Sequence, residues 1–406
     1  MKKFTALFLS AILFAACFGV SVSAQSPAAV KTAEQLMNIK PNGSYYLAND
    51  IDLYGVDWKA INGFSGSLDG KGHMIGGLTS EDYGLFSTLK SGAKIKNVVL
   101  DNVYITSKYS SVGAIAASIP SSAKNVVIEN CYVNGVVASC RTKFSLNASS
   151  STAGSIVGRN DSASAVISGC YSNAVVAAER TVGGIAGINY GTIKSCGFGG
   201  QTGSSYNIYE LGCDMDGVKR DDYKYLYCVG GICGFNYNKV SNSFSNCTRV
   251  DIASYYGGIV GVLQKNGSIS YCVNSSEVLY DDNLTGGLIA GYASGKSKLS
   301  NCYTKSTTNS TVQNDVGKGR TGKLAYRITD GNYNKISSFK TLDGDWQIWD
   351  GVPILKKLKS YVLMAAPEYE IKGEKLILIE YSVDAVDEEE DLSVDYGYDE
   401  FGNILE

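Results

Sequence analysis

The chain has 406 residues, a formal net charge of −3, 46 glycines, 5 prolines, 11 cysteines and 1 histidine. That length holds one elongated domain or two compact ones. Basic residues are scattered and never cluster with aromatics, which argues against nucleic acid as a partner, and one histidine excludes an HExxH zinc site, which needs two on one helical turn.

The first 24 residues read as an export signal. Lys2 and Lys3 precede an apolar run from Phe4 to Phe18, and Val22-Ser23-Ala24 supplies the small residues for cleavage before Gln25. The run is too short to span a bilayer comfortably, and no later segment is long and apolar enough to cross one. Lipid attachment at Cys17 is the weaker alternative, because Phe14 stands where Leu is usual and the apolar run continues past the cysteine. The expected location is therefore secreted or cell-surface. Cysteines in an exported chain make disulfides possible.

An entry segment follows. Ala33-Glu34-Gln35-Leu36 suggests a short helix, and Tyr45-Tyr46-Leu47-Ala48-Asn49-Asp50-Ile51-Asp52-Leu53 a strand phrase. Phe64-Ser65-Gly66-Ser67-Leu68-Asp69-Gly70-Lys71-Gly72-His73-Met74-Ile75, Gly84-Leu85-Phe86 and Ala93-Lys94-Ile95-Lys96-Asn97-Val98-Val99-Leu100 complete it.

From residue 112 a motif recurs, as in Val182-Gly183-Gly184-Ile185-Ala186-Gly187 and Tyr256-Gly257-Gly258-Ile259-Val260-Gly261. Its leading glycines are Gly113, Gly154, Gly183, Gly230, Gly257 and Gly286, separated by 41, 29, 47, 27 and 29 residues. A strand-like phrase with one cysteine follows each copy, placing Cys131, Cys170, Cys196, Cys247, Cys272 and Cys302 at one phase. Units of about 28 residues cannot bury an apolar face alone and must stack on their neighbours. Glycine at a fixed phase suits a corner with positive φ or a close backbone approach. Cysteine at a fixed phase suits a small buried apolar slot. Disulfides between units are the alternative, disfavoured because a single column would have to pair selectively.

The two long intervals contain insertions near 140–152 and 197–227. The first is polar and Ser-rich. The second carries Tyr206, Tyr209, Tyr223, Tyr225 and Tyr227 among Gly and Ser, the mixture favoured in recognition loops, and is a candidate ligand-binding element. A decorative excursion is the competing reading. Cys213 and Cys228 flank its second half and could close it with a disulfide. Asp214-Met215-Asp216-Gly217 begins like a calcium loop, but Val218-Lys219-Arg220 breaks the ligand spacing. Beyond the repeats, Tyr361–Ala365 and Lys375–Ile379 read as strands of a short β cap over 356–383. Residues 380–406 hold eleven acidic groups and no Lys or Arg, an acidic tail expected to be disordered from 384.

The entry phrases and the Gly-Gly-Ile-x-Gly copies together resemble the GLUG-motif proteins over residues 31–355, closing with Trp346 and Trp349-Asp350-Gly351-Val352-Pro353-Ile354-Leu355. The resemblance implies a right-handed parallel β-helix on secreted or surface bacterial proteins, several tied to adhesion. Some relatives carry such a region ahead of a zinc-dependent IgA peptidase, a part not visible in this sequence.

No catalytic set is legible. His73 alone would have to carry any Ser-His-Asp arrangement, and it sits in a turn phrase. Asp50 and Asp52 belong to the entry phrase. Asp281 and Asp282 are adjacent, so in a strand they point to opposite sides. The expectation is an all-β, non-enzymatic, adhesin-like protein without cofactor or metal, binding an extracellular glycan or host protein. A carbohydrate-active β-helix enzyme or a purely structural surface component are the alternatives.

Overall fold

The computed structural model describes residues 26–109, 111–139, 151–203, 228–247, 250, 253–276, 278, 285–306, 314–319, 325–364, 369–372 and 375–378. Among them, four stacked parallel sheets form a β-helix. In the order met along one turn, face 1 has ten strands from Ala28–Val30 to Lys298–Ser300, and face 2 has thirteen from Ile51–Asp52 to Ala325–Thr329. Face 3 has six, from Ser111–Val112 to Thr285–Gly287, and face 4 has eight, from Phe86–Thr88 to Val316–Gly319.

The stack follows from a two-residue alternation repeated in register. On face 1, Leu68, Ile95, Ile128, Ile167, Ile193, Val240, Ile269 and Leu299 pair rung to rung and are buried. Their neighbours in each strand are mostly Ser, Thr and Lys, which face out. Each buried aliphatic contributes about 1.5–3 kcal/mol, but only because the rung above covers it. At the start, the helix Ala33–Met37 is capped by the Thr32 hydroxyl, which accepts from Gln35 N–H at 3.2 Å, and buries Leu36 against the core.

Between faces 1 and 2 the chain turns through a left-handed residue: Asn97, Asn130, Gly169, Ser195, Asn242, Tyr271 or Asn301. Apart from glycine, Asn with its small polar side chain tolerates this conformation best. The next residue points inward, and here stand Cys131, Cys170, Cys196, Cys272 and Cys302, all free and buried. Burial pushes the thiols of Cys170, Cys196 and Cys272 well up. Cys247 does not belong to this column. Phe244 pairs with Gly197 below and Val273 above, so Ser243 fills the slot. Serine is nearly isosteric with cysteine, and the column accepts either. Cys247 lies four residues on, buried, with its thiol 3.0 Å from Ser276 Oγ.

The repeat glycines need a close approach and not a positive φ. Gly154, Gly183, Gly230 and Gly257 lie in register, and none has a left-handed φ. A Cβ at Gly183 would collide with the Ala186 carbonyl, and one at Gly230 with the Cys233 carbonyl. Gly113 stands one rung below, beside the paired Val112 and Ala153. Gly286, however, is out of phase by one: Gly287 pairs with Gly257, and Gly286 lies over Tyr256. The Tyr256 ring, fully buried in the core, occupies the volume that a side chain at 286 would need.

One buried polar column runs beside face 4. Asn160, Asn189 and Asn236 are in register and inaccessible to solvent. Asn160 Nδ2 donates to Asn189 Oδ1 at 3.0 Å, and Asn189 Nδ2 to Asn236 Oδ1 at 2.9 Å. The signal was in the sequence as Gly-Arg-Asn, Gly-Ile-Asn and Gly-Phe-Asn at 158–160, 187–189 and 234–236.

Residues 330–362 do not extend the stack, a correction to the expected β-helix boundary at 355. Trp346–Trp349 and Val352–Leu355 pair antiparallel with each other, and Lys359–Met364 is a helix where a strand was expected. This segment lies as a strap along the outside of face 2, over an outward column that includes Tyr132, Tyr171, Phe244 and Tyr303. Tyr333 Oη donates to the Asn274 carbonyl at 3.2 Å, Phe339 packs on Tyr303 at 5.2 Å, and Trp346 packs on Phe244 at 6.2 Å. Trp346 Nε1 also donates to Asn242 Oδ1 at 2.8 Å, and Tyr361 Oη to the Asn130 carbonyl at 2.7 Å. The strap thus runs back toward the start of the stack. In the second compact unit, from Leu363 on, Tyr369–Lys372 and Lys375–Leu378 pair as a hairpin. The signal and the acidic tail lie outside the described residues.

Candidate functional site

Connection lengths single out one corner. Faces 3 and 4 are joined by two or three residues in every rung, whereas the chain crosses from face 2 to face 3 through 108–110, 140–151, 179–180, 204–227, 251–254 and 279–284, the last two counted from the isolated bridges at Val250 and Val278. Both insertions leave from this one corner, and the strands Gly197–Phe198 and Gln201–Gly203 narrow the second to 204–227. Loops that leave one edge of a solenoid are the usual place for recognition. Tyr206, Tyr209, Tyr223, Tyr225, Tyr227 and Cys213 lie outside the described residues. Cys228, at the return to face 3, is free and buried, and its thiol donates to the Gly234 carbonyl at 2.9 Å.

The described part of the corner carries an aromatic pair that sequence reading missed. At its first two rungs a serine turns the chain: Ser80 Oγ accepts from Asp82 N–H at 3.0 Å, and Ser107 Oγ from Tyr109 N–H at 3.2 Å. Lys108 N–H donates to the Glu81 carbonyl at 3.0 Å, which fixes one turn above the other. Tyr83 and Tyr109 consequently stack, with ring centroids 4.5 Å apart and planes 11° apart. The usable signal was the parallel phrasing Ser80-Glu81-Asp82-Tyr83 and Ser107-Lys108-Tyr109.

This pair borders a groove of about 600 Å³ whose other walls include Lys59, Asn62, Asp82, Ser87, Thr88 and Ser118. Tyr109 is 40% exposed. Burial, then the neighbouring Tyr109 and Asp82, push the Tyr83 phenol up, so it stays a neutral donor at physiological pH. Lys108 Nζ sits 3.0 Å from Asp82 Oδ1. Asn62 accepts from the Ser87 hydroxyl at 3.0 Å. An aromatic edge beside hydroxyl, amide and charged groups offers one apolar wall and several directional partners, the arrangement that suits a hydroxyl-rich ring.

His73 is tied into its turn. Its Nδ1 is 3.0 Å from Asp50 Oδ1, and the same oxygen accepts the Met74 N–H at 2.9 Å. The Met74 N–H first, and then His73, hold the Asp50 carboxyl below its ordinary value. Among the described residues no serine, threonine or cysteine hydrogen-bonds to His73, and no three His, Cys, Asp or Glu side chains converge as metal ligands. Asp214, Asp216, Asp281 and Asp282 lie outside the described residues. No helix among the described residues is long and apolar enough to cross a membrane.

Fold and corner together define a parallel β-helix with its insertions gathered on one edge. Residues 34–135 match the family described as M26 IgA1-specific metallo-endopeptidase N-terminal region, which relates this part of the chain to IgA-peptidase-type proteins. A crystal structure of a candidate immunoglobulin A1 protease from Bacteroides ovatus aligns at 22% identity and a TM-score of 0.49, over 82% of this chain and 92% of that one. An IgA1 protease structure aligns at 17% identity and a TM-score of 0.54, over 79% of this chain and 24% of its own length. The latter likeness is one of fold, and this chain spans about a quarter of that protein. No curated protein matches the chain.

Proposed function

We propose that the protein is a non-enzymatic, secreted or cell-surface binding protein that recognises an extracellular glycan, free or on a host glycoprotein, in the groove that runs from the corner between faces 2 and 3 to the outer side of face 4. The observation that carries this reading is the stacked Tyr83–Tyr109 pair beside a polar groove, on the same edge as the Tyr-rich insertion. The relation of residues 34–135 to the N-terminal region of IgA1-specific metallo-endopeptidases supports an extracellular setting. A rigid stack gives the ligand a preformed surface, so little entropy is lost when it docks.

A glycan array tests the reading. The purified mature chain binds a defined set of glycans, and both deletion of residues 204–226 and Tyr109→Ala remove that signal while circular dichroism stays unchanged. Depolymerisation of a bound polysaccharide, abolished by changing one carboxylate, would replace the reading with the enzyme alternative. Silence of the intact protein on glycans and host proteins alike would leave a structural component.

A further inference from the structure

We infer a second binding site, on the outside of face 1, for a saccharide that carries a carboxylate. It shares only the ligand class with the proposed function and lies on a different face, so the two can fail separately. The site is a cavity of about 810 Å³ over the first rungs, lined by Tyr46, Asp69, Lys71, Lys94, Lys96 and Glu129, among others.

Strand register places these groups. Tyr46, Asp69, Lys96 and Glu129 occupy one outward column on successive rungs. Lys94 stands in the adjacent outward column, between Ser67 and Val127. Rungs stacked about 4.8 Å apart make this an array of fixed spacing, on the scale of a sugar ring.

Asp69 organises the cationic side. Its Oδ1 accepts from Asn97 Nδ2 at 2.9 Å and from the Lys71 N–H at 3.0 Å, while Oδ2 lies 3.2 Å from Lys96 Nζ and 3.6 Å from Lys71 Nζ. Its carboxylate is committed within the protein and holds two ammonium groups at the cavity. Partial burial acts to raise its pKa, but the bonds from Asn97, Lys71 and Lys96 outweigh that and keep it low, so it stays charged.

Lys94 is exposed, and among the described residues no carboxylate pairs with it. Three ammonium groups therefore converge with one committed carboxylate, and Glu129 remains exposed at the next rung. A phosphate-dense polymer would meet Glu129 repulsively and finds no continuous cationic track. An acidic sugar fits all the groups: its carboxylate on Lys94, its hydroxyls donated to Glu129, and its apolar ring face against Tyr46.

Calorimetric titration of the mature chain with trigalacturonate, 3′-sialyllactose and neutral galactotriose tests this. The uronate and sialate arms separate the two sources of a sugar carboxylate. At least one acidic probe binds tenfold or more tightly than galactotriose, and its affinity falls with added salt. Lys94→Glu lowers that affinity at least tenfold, as does Tyr46→Ala. Lys298→Glu, the same charge change farther along the Lys94 column, leaves it unchanged. Lys94→Gln, which only removes the charge, falls between wild type and Lys94→Glu. No binding of either acidic probe, equal affinity for the neutral one, or an unaffected Lys94→Glu would overturn the site. Tyr109→Ala leaves this binding intact whatever becomes of the corner.

Discussion

Replacing Asn189 by Ala tests the interior of the stack at its most exacting point. Asn189 is inaccessible to solvent and makes four hydrogen bonds. Its Nδ2 donates to Asn236 Oδ1 at 2.9 Å and to the Gly191 carbonyl at 3.0 Å. Its Oδ1 accepts from Gly191 N–H at 3.1 Å and Asn160 Nδ2 at 3.0 Å. Truncation strips all four and leaves Asn236 Oδ1 with no donor from the ladder. At about 1 kcal/mol net for each bond, with a surcharge for groups left unpaired in the interior, the loss comes to about 3–5 kcal/mol. Asn160→Ala, at the end of the ladder, removes only the bond to Asn189 and the one from Ser162 N–H, and costs about 1–2 kcal/mol. Equilibrium urea unfolding followed by tryptophan fluorescence gives both values, and hydrogen exchange of residues 186–189 and 233–236 shows whether the loss is local to those rungs. A cost below about 1 kcal/mol for Asn189→Ala, or equal costs for the two variants, would refute the ladder.

Other expectations follow from the same geometry. Gly287→Ala destabilises the fold whatever stands at 256, because its Cβ would meet the Ala290 carbonyl, whereas Gly286→Ala is rescued by Tyr256→Val, which removes the obstructing ring; thermal melting of the single and double variants reads the coupling. Trp346→Ala costs about 3–5 kcal/mol and frees the strap, seen as rapid proteolysis between 330 and 362. The low pKa of Asp69 stabilises the fold above the ordinary carboxylate range, and this contribution disappears as pH falls through the folded-state value. Asp69→Asn therefore lowers Tm at pH 7 and has a vanishing effect near pH 2; an undiminished difference in acid contradicts this. Cys131, Cys170, Cys196, Cys272 and Cys302 stay inert to a thiol-specific disulfide reagent in the native state and react on unfolding.

The stacked parallel fold was legible because its cause is periodic: the same aliphatic, cysteine and glycine phases return in most rungs. What escaped reading depends on single-residue register or on sequence-distant contact. Matching cysteine to cysteine at Phe244-Ser245-Asn246-Cys247 hid Ser243, and matching the first glycine of Gly286-Gly287 hid the one-residue shift that sets Gly286 over Tyr256. The strap was opaque for another reason. Tyr361 meets Asn130 across 231 positions, and no local pattern announces such a partner. At the corner, the Tyr-rich insertion advertised itself by composition, whereas Tyr83 and Tyr109 meet only because two short turns are superposed by the rungs that carry them.

The most direct test of the central claim is a crystal structure of the mature protein with an oligosaccharide selected on the glycan array. The account predicts an intact sugar with one ring face against the Tyr83–Tyr109 pair and its hydroxyls bonded in the groove of Asn62, Thr88 and Ser118. A saccharide seated away from this groove, or one cleaved into shorter products, would contradict it.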